Sequence, residues 1–185
     1  MQKLDRFKLP IDFRGRNAIS VQAWWLIHAS LFSWSPQALY KFRRFLLKIF
    51  GAKIGSNVLI RPSAKITYPW KVSIGHNSWI GDDVVLYSLG EIKIGNDVVV
   101  SQKSYLCTGS HDYTKTSFDI WQKPIVIEDG AWVSTDVYIG PGVTIGKGAV
   151  IGARSSVFKD MPSGMVCIGN PAKPVKPRIS QKNDT

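Results

Sequence analysis

The chain offers few side chains for proton-transfer chemistry, because it contains only three histidines, His28, His76 and His111. His111 lies in an irregular polar stretch, with a glycine and a serine directly before it. A histidine gains or loses its proton close to neutral pH, so an imidazole in an exposed loop can act as a general base. His76 follows Gly75 at a regular turn, which predicts an exposed structural residue. His28 lies in an apolar stretch, which predicts a core or interface position.

These histidines do not predict a metal site. A zinc site needs ligands at short, characteristic spacings, and positions 28, 76 and 111 lack them. The two cysteines, Cys107 and Cys167, are also far apart. Together with the lack of a recognisable secretory signal, they predict free thiols in a reducing, cytoplasmic compartment. We therefore predict that no metal is required.

The scaffold that positions the His111 loop is indicated by an apolar residue at every sixth position. A period of six fits neither an amphipathic helix nor an alternating strand, but it is typical of a β-helix built from short repeats. Each hexad then supplies one strand and one turn, with the apolar residue and a small or β-branched residue pointing inward. The clearest apolar run is Ile127, Val133, Ile139, Ile145, Ile151 and Val157, and the small residues are Ala131, Val137, Val143, Ala149 and Ser155.

Three hexads complete one triangular coil in this interpretation, so residues 18 positions apart should stack on one another. Glycine follows the apolar residue at positions 140, 146 and 152. At these turns a side chain would often strain the backbone, so the glycines are expected to relieve that strain.

The repeat predicts a solenoid over residues 53–160, with a protruding loop at about 107–126. Leu106 and Ile127 are 21 residues apart, three more than a coil of three hexads, and the sequence between them is irregular. Loops on a rigid scaffold frequently carry function. The segment 159–162 is predicted to end the repeat, 161–185 to form a short tail, and the residues from about Arg178 to be disordered.

Residues 1–52 are predicted to form an extended basic arm, to about residue 18, and two helices. An apolar stretch over 19–32 predicts the first helix, which is too short to span a bilayer. Ser35 as N-cap, Pro36 at the first helical position and Gly51 after the end predict the second. Two roles stay open for these helices. They could cap the first coil with their basic face solvated, or they could form an interfacial membrane segment.

The formal net charge of +11 predicts a negatively charged partner: nucleic acid, an anionic membrane surface or a phosphorylated small molecule. The sequence contains no recognised nucleic-acid-binding motif and no basic sheet with interleaved aromatic residues. We therefore expect no nucleic-acid partner.

Four segments, together with the hexads, carry a resemblance to a known family. They are residues 14–16, 46–55, 106–112 with its Gly-Ser-His sequence, and 169–172 with its Gly-Asn-Pro-Ala sequence. They resemble the hexapeptide-repeat O-acetyltransferases, most closely the colanic acid biosynthesis branch and more distantly the maltose and galactoside acetyltransferases. The resemblance implies a mainly β fold: a left-handed parallel β-helix with an N-terminal helical segment and a short C-terminal tail. It also implies a homotrimer with active sites between subunits.

The activity that this resemblance implies is acetyl transfer from acetyl-CoA to a sugar hydroxyl in exopolysaccharide biosynthesis, in the cytoplasm. His111 would act as general base, with direct attack in a ternary complex and a backbone N–H at the oxyanion. Thr135 would lie beside the thiol end of CoA. The other implied cofactor-binding positions are Ala153, Phe158, Lys159, Lys173 and Lys176.

The acceptor positions depart from the galactoside and maltose enzymes. Gly81 and Leu89 stand where those enzymes have a sugar-binding asparagine and aspartate, whereas Thr67 matches a hydroxyl-bearing contact position. The candidate replacements for substrate binding are Asp82, Asp83, Tyr87 and Ser88. These departures argue against a simple galactoside acceptor.

Several alternatives stay open from the sequence. The acceptor could be another small hydroxyl or amine compound, such as an antibiotic. The solenoid could be a non-catalytic binding module, or an adaptor at a membrane surface through its basic, tryptophan-rich N-terminal segment. His111 could be a polar loop residue packed on a neighbouring subunit, and Lys173 and Lys176 could belong to a solvated basic terminus.

Overall fold

The computed structural model describes residues 1–179, which form a parallel β-solenoid preceded by short helices. Three sheets form the sides of the coil, and the chain visits them in the order A, B, C. Sheet A contains β1 (Lys53–Ile54), β4 (Val72–Ile74), β7 (Ile92–Ile94), β12 (Ile125–Ile127) and β15 (Thr144–Ile145). Sheet B contains β2 (Leu59–Ile60), β5 (Trp79–Ile80), β8 (Val99–Val100), β13 (Trp132–Val133), β16 (Val150–Ile151), β18 (Met165–Gly169) and β19 (Ala172–Pro177). Sheet C contains β3 (Lys65–Ile66), β6 (Val85–Tyr87), β9 (Tyr105–Cys107), β14 (Tyr138–Ile139) and β17 (Ser156–Val157).

The mainly β solenoid prediction is confirmed, and the six-residue period gives its core. The second residue of each two-residue strand points inward, and Ile60, Ile80 and Val100 are at most 1% exposed. The small residues that precede the strands are buried as well, as Ala131 and Ser155 show. Stacked coils therefore bury one continuous apolar column, which a single coil could not do. The left-handed sense of the coil stays a prediction from the resemblance.

The predicted stacking interval of 18 residues is correct only between the fourth and fifth coils, and it is 16 at the C-terminal end, where Val150 pairs with Val166. Trp132 pairs with Val150, 18 positions on, but Leu59 pairs with Trp79, 20 positions on. The two additional residues lie between sheet C and the next strand of sheet A, where Pro69–Lys71 forms a 3-10 turn. This passage is named the C-to-A corner, and the passage from sheet B to sheet C the B-to-C corner.

The protruding segment leaves the solenoid at the C-to-A corner of the third coil. Leu106 and Ile127 lie on neighbouring sides of the prism and do not stack on each other, so their interval of 21 positions corresponds to the eight positions between Leu86 and Ile94. The excursion forms an antiparallel hairpin of β10 (Gly109–His111) and β11 (Ile120–Gln122). After the hairpin, β12 pairs in register with β7 of the preceding coil, because Ile125 lies opposite Ile92.

The glycines that follow the inward residues have a different role from the predicted one. Gly140, Gly146 and Gly152 do not have positive φ angles. Positive φ occurs instead at other corner residues, such as Asn57 and Asp136. A Cβ on Gly146 would lie 2.5 Å from the backbone nitrogen of Ser163 in the next coil. Glycine is therefore needed there for close approach between coils.

We expect Gly146→Ala to destabilise the protein by about 1–3 kcal/mol, because the neighbouring backbone must move to accommodate the methyl group. Gly140→Ala is the matched control, since its Cβ would first meet Phe158 Cδ1 at 3.4 Å. Thermal or urea unfolding of both variants measures the difference. Equal stability of the two would contradict this role for Gly146.

The N-terminal helices differ in part from the prediction. The first is α1 (Ala18–Ile27), capped by the Asn17 side chain and continued by a π-helical turn (His28–Phe32). The second, α2 (Tyr40–Ile49), begins after Ser35 and Pro36, so the prediction that these residues start the helix is wrong. Gly51 follows the helix end with φ 93°, as predicted.

The helices cover the exposed edge of the first coil. Backbone N–H groups of one coil donate to carbonyls of the next, as Arg61 does to Ile80, so strand carbonyls of the first coil have no preceding coil to pair with. Side chains from the helical segment donate to these carbonyls. The four bonds are Arg44 Nη1 to Val58 (2.9 Å), Arg43 Nε to Ile60 (2.7 Å), His28 Nε2 to Ala64 (3.0 Å) and Trp24 Nε1 to Ile66 (2.8 Å). An unpaired strand edge invites association with other chains, and these bonds protect it.

The prediction that the basic face of the second helix is solvated is wrong for Arg43, because its side chain is fully buried. Besides Ile60, its guanidinium donates to Ser35 Oγ and to the carbonyls of Pro36 and Gln37 at 2.5–2.9 Å. Burial lowers the pKa of Arg43. Ser35 therefore accepts a hydrogen bond from this guanidinium and does not cap the helix.

The C-terminal part extends the solenoid beyond its predicted end. Met161 forms a bridge with Ile145, and β18 adds to β16, so a partial sixth coil begins within residues 159–162. β19 then folds back on β18 as an antiparallel strand. The Arg178 backbone N–H donates to the Gly164 carbonyl, so predicted disorder from Arg178 is wrong at that residue. The rest of that prediction, residues 180–185, lies outside the described residues.

Candidate active site

The hairpin that carries His111 is fixed to the solenoid at its base. Thr108 Oγ1 donates to the Tyr87 carbonyl at 2.6 Å, and the Lys123 N–H donates to the Thr108 carbonyl at 2.9 Å. Leu89 is buried and packs so closely on Gly109 that a Cβ there would lie 2.6 Å from its Cδ1. The hairpin is therefore a rigid extension of the C-to-A corner.

The His111 ring is oriented by Phe118, across the hairpin. Its Nδ1 lies 2.8 Å from the Phe118 carbonyl oxygen, and the two rings stack at 4.2 Å with an interplanar angle of 5°. Because a carbonyl only accepts hydrogen bonds, Nδ1 must carry the proton. The neutral ring then has its lone pair on Nε2, which is the form that a general base requires.

His76 has the opposite arrangement. It is exposed, and its Nδ1 accepts a hydrogen bond from the Ser56 backbone N–H at 3.1 Å. Nδ1 therefore has no proton, and the ring joins neighbouring corners of two coils. The contact supports the structural role predicted for His76.

The N-terminal arm folds against the hairpin and is not simply extended. Leu4–Arg6 form a 3-10 turn, the Lys3 N–H donates to the Thr116 carbonyl at 2.7 Å, and the Phe7 ring lies 5.9 Å from the His111 ring. The arm and the hairpin base are joined by Lys71.

Lys71 Nζ donates to the carbonyls of Phe13 (2.7 Å) and Leu89 and to Gln122 Oε1 (3.3 Å). Burial lowers the pKa of Lys71. The lysine therefore connects the N-terminal arm, the C-to-A corner and the outgoing strand of the hairpin.

The predicted site residues divide between two corners of the prism. The residues of the first group lie at the C-to-A corner, where the strands of sheet C end. The group consists of Thr67, Tyr87, His111, Phe158 and Lys159. Within it, a column of aromatic rings runs along sheet C from Tyr87 through Tyr105 and Tyr138 to Phe158, with ring centroids 5.7–6.2 Å apart. The pKa of Tyr138 is raised to about 12, mainly because the phenol is buried and further because it contacts Cys107.

The second group lies at the B-to-C corner or beside it. Thr135 and Ala153 follow strands of sheet B in successive coils, and Thr135 Oγ1 accepts from Gln102 Nε2 at 2.7 Å. Lys173 pairs with Ile168 between β18 and β19, and Ile168 packs closely on Gly152, the residue before Ala153. Lys173 therefore lies beside the B-to-C corner. Lys176 lies further along β19, opposite Val166. His111 and Thr135 therefore occupy different corners of one chain.

Asp82 and Asp83 also lie at the B-to-C corner but line different grooves. Asp82 pairs with Arg61 at 3.1 Å and lines a groove of about 400 Å³ on the outer face of sheet B. Asp83 lines a groove on the sheet C side together with Thr67 and Trp25. Ser88, the fourth candidate, is buried and bonded to the Tyr68 backbone, so it cannot contact a substrate.

The two departures from the galactoside pattern have local explanations. Leu89 is a packing residue of the hairpin base, as described above. A Cβ on Gly81 would lie 2.7 Å from the backbone nitrogen of Gln102, so a larger side chain would force the coils apart there.

Several residues that lie beside the predicted site residues were not found from the sequence. Trp79 is 54% exposed and lines the sheet B groove, and Trp132 on the same face donates to Ser101 Oγ at 2.9 Å. A large aromatic residue at an outward strand position was the available signal for both. Phe118 and Phe7 gave no such signal, because their contacts with His111 depend on how the hairpin and the arm fold.

The positions predicted for a phosphorylated cofactor are open to solvent. Lys159, Lys173 and Lys176 are exposed, and none of them forms an ion pair within residues 1–179. Ala153 is exposed at its turn and adds little bulk there. This surface fits a ligand that carries several phosphates. In the described part of the chain, no three His, Cys, Asp or Glu side chains form a metal-binding group.

A coiled scaffold of six-residue repeats, with a hairpin at one corner, is typical of transferases of the hexapeptide class. The family described as "Bacterial transferase hexapeptide (six repeats)" matches residues 124–159. The chain is 60% identical over 179 residues to WcaF of Escherichia coli (strain K12), assigned as a colanic acid biosynthesis acetyltransferase, covering 97% of this chain and 98% of that protein. It is 29% identical over 137 residues to the galactoside O-acetyltransferase of the same strain, covering 72% and 68%.

A solved structure gives the same result at the level of the fold. The hexapeptide-repeat acetyltransferase VCA0836 of Vibrio cholerae O1 biovar eltor, complexed with acetyl coenzyme A, superposes with a TM-score of 0.79 at 26% identity, covering 90% of this chain and 92% of that one. The chain therefore belongs to the hexapeptide-repeat acetyltransferases, and it is an acyltransferase.

Proposed function

We propose that the protein transfers acetyl from acetyl-CoA to a hydroxyl of a sugar used in exopolysaccharide assembly. The high identity to a colanic acid biosynthesis acetyltransferase over nearly the whole of both chains supports this acceptor class. The acetyl-CoA complex of the Vibrio cholerae relative supports the donor.

The observation that carries the mechanism is the hydrogen bond from His111 Nδ1 to the Phe118 carbonyl. Acetyl-CoA supplies an acetyl group already activated as a thioester. His111 Nε2 accepts the proton of the acceptor hydroxyl while that oxygen bonds to the acetyl carbon, and it returns the proton to the departing thiolate. The acetyl group passes directly to the acceptor, so no acyl-enzyme is needed.

Acetyl-CoA is proposed to bind residues of both groups, those at the C-to-A corner and those at the B-to-C corner. Lys173 and Lys176 would neutralise phosphates, with Arg154, which follows Ala153 and lies 3.5 Å from Asp136, as a further contact, and Thr135 would lie at the thioester end. Phe158 and Lys159, from the C-to-A corner, complete the groove. The exposure of these lysines supports the assignment.

A complete site then needs two copies of the chain. His111 extends from the C-to-A corner, whereas Thr135 lies at the B-to-C corner, on another edge of the same prism. Parallel packing of three prisms would bring the hairpin of one copy to the B-to-C corner of its neighbour. We therefore propose a homotrimer with three sites between subunits.

The acceptor sugar is assigned to the groove on sheet B. Trp79 offers a flat ring for the apolar face of a sugar, and Asp82, held by Arg61, can accept hydrogen bonds from its hydroxyls. Gln102 connects this groove to Thr135. Thr67 and Tyr87 lie on the hairpin-bearing side and would reach the acceptor from the neighbouring copy, whereas Asp83 follows Asp82 at the B-to-C corner.

The deciding experiment is an acceptor screen with acetyl-CoA over nucleotide sugars, lipid-linked oligosaccharides, antibiotics and simple amines. Release of the CoA thiol is followed with a thiol reagent, and the acetylated product is identified by mass. We expect turnover with a glycan acceptor. Turnover with an antibiotic or an amine alone would overturn the acceptor assignment. A protein that neither turns over nor gains thermal stability with CoA would be a non-catalytic module.

We expect Trp79→Ala to raise KM for the glycan about 10-fold and to leave KM for acetyl-CoA unchanged, because one stacking ring contributes about 1–2 kcal/mol. Trp34→Ala is the matched control, since Trp34 is 85% exposed but lines neither of the two grooves that hold the substrate-binding candidates. Steady-state kinetics with each substrate varied in turn measures both constants. An unchanged glycan KM would remove Trp79 from the acceptor site.

A further inference from the structure

The outer side of the N-terminal helices carries an apolar surface that the fold does not cover. Its residues lie on α2 and in the segment that precedes it. They are Leu31, Trp34, Leu39, Phe45 and Ile49, with exposures of 52%, 85%, 45%, 58% and 57%. We name these five residues the helix patch.

The patch is continuous. Leu31, Trp34 and Leu39 line one groove together with Phe42. Phe42 lies three residues before Phe45 on α2, and Ile49 follows four residues later, so these side chains share one face of the helix. Isolated apolar residues on a surface are ordinary, but a contiguous group of this kind indicates an interaction site.

The patch faces away from the solenoid. Arg43 points to the first-coil carbonyls, and Phe45 and Ile49 lie on the opposite side of α2 by helical geometry. Lys41 and Lys48 share that outer side and are exposed. Whatever contacts the patch therefore meets the end of the prism.

The charge around the patch identifies the occupant. From Phe13 to Gly81 the sequence contains no aspartate or glutamate but has ten basic residues. Of these, Lys41 and Lys48 are exposed on the outer side of α2 with the patch, whereas Arg43 is buried against the first coil and Lys71 lies at the hairpin base. Apolar side chains with a nearly fully exposed tryptophan, flanked by lysines, suit the boundary between headgroups and acyl chains of an anionic bilayer.

We propose that the helix patch docks the protein on an anionic phospholipid membrane, with the prism axis directed away from the bilayer. Within residues 1–179, no helix has the length and apolar character needed to cross a membrane. Coils are spaced by about 4.8 Å, so His111, on the third coil, would stand about 10 Å further from the surface than the first coil. In the proposed homotrimer three patches would face the same surface, and their binding would reinforce one another.

The test is sedimentation of the full-length protein with vesicles, without CoA or acceptor. Vesicles of phosphatidylcholine alone are compared with vesicles of phosphatidylcholine and phosphatidylglycerol. We expect binding to the anionic vesicles that weakens as salt is raised. Phe45→Gln with Ile49→Gln should lower the partition coefficient at least about 10-fold, and Lys41→Gln with Lys48→Gln should lower it by a similar factor.

Leu4→Gln with Ile11→Gln is the matched control, because these residues are 68% and 93% exposed outside the patch. The control should bind vesicles like the parent. Thermal unfolding should be the same for all variants, since the changed side chains are exposed.

Absence of binding to either vesicle type would overturn the proposal, and so would equal binding by the patch variants. A third outcome is that the protein does not bind vesicles but its trimers associate with one another as concentration rises, and that the patch variants abolish this association. That outcome would show that a second copy covers the patch. Vesicle binding does not depend on turnover, so this result stands or falls separately from the acetyl-transfer assignment.

Discussion

His111→Ala should lower kcat for acetyl transfer by roughly 10²- to 10⁴-fold, the range that a positioned general base contributes. The reason is geometric, since the Phe118 carbonyl fixes the proton on Nδ1 and leaves Nε2 free to accept one. Steady-state thiol release, with the glycan identified in the screen, measures the loss. Added imidazole should restore part of the rate if the missing function is proton acceptance.

His76→Ala is the matched control, because His76 is exposed and lies away from the hairpin. It should retain the parent kcat. The His111→Ala protein should unfold at the parent temperature, because its ring is only half-buried and bonded to a single carbonyl. A His111→Ala protein that keeps most of the rate would end the assignment of His111 as the base.

Arg43→Met should destabilise the protein by about 3 kcal/mol or more, because a buried polar group that loses its hydrogen-bond partner typically costs about 1–3 kcal/mol and several lose theirs here. The substitution leaves four acceptors without their donor, among them the edge carbonyl of Ile60. For a chain of this size the unfolding midpoint should fall by about 10 °C. Scanning calorimetry or fluorimetry at fixed protein concentration measures the shift.

Lys41→Ala provides the comparison, because Lys41 is exposed on the same helix and should change stability by at most about 0.5 kcal/mol. Light scattering adds a second measurement, since a first coil with an open edge should associate with other copies on mild heating. An Arg43→Met protein as stable as the Lys41→Ala protein would show that the network contributes little.

The scaffold could be predicted from the sequence because one physical rule repeats along it. Each inward position must be apolar and the residue two positions before it small or β-branched, so residues such as Ile60 and Ala131 reveal the coil. The stacking interval was harder to predict, because two additional residues at a corner change it from 18 to 20 without altering the apolar period. Arg43 could not be assigned correctly, because its burial depends on where α2 meets the first coil.

The site was predictable by residue type but not by arrangement. His111 was identified because a histidine in an irregular loop is chemically distinct, and the lysines because of their charge. The division of the candidates between two corners depends on which side of the prism each strand occupies. The orientation of His111 depends on Phe118, seven residues away across the hairpin, and local sequence does not specify that contact.

The hairpin leaves one corner and returns to it without shifting the stacked strands, so the scaffold imposes no length on what is inserted there. Such a corner can exchange or lengthen its insert during evolution while the hydrophobic interior stays the same. Chains of this architecture should therefore be able to vary this one excursion without repacking their interior, and chimaeras that swap it together with the arm that packs on it should keep their thermal stability.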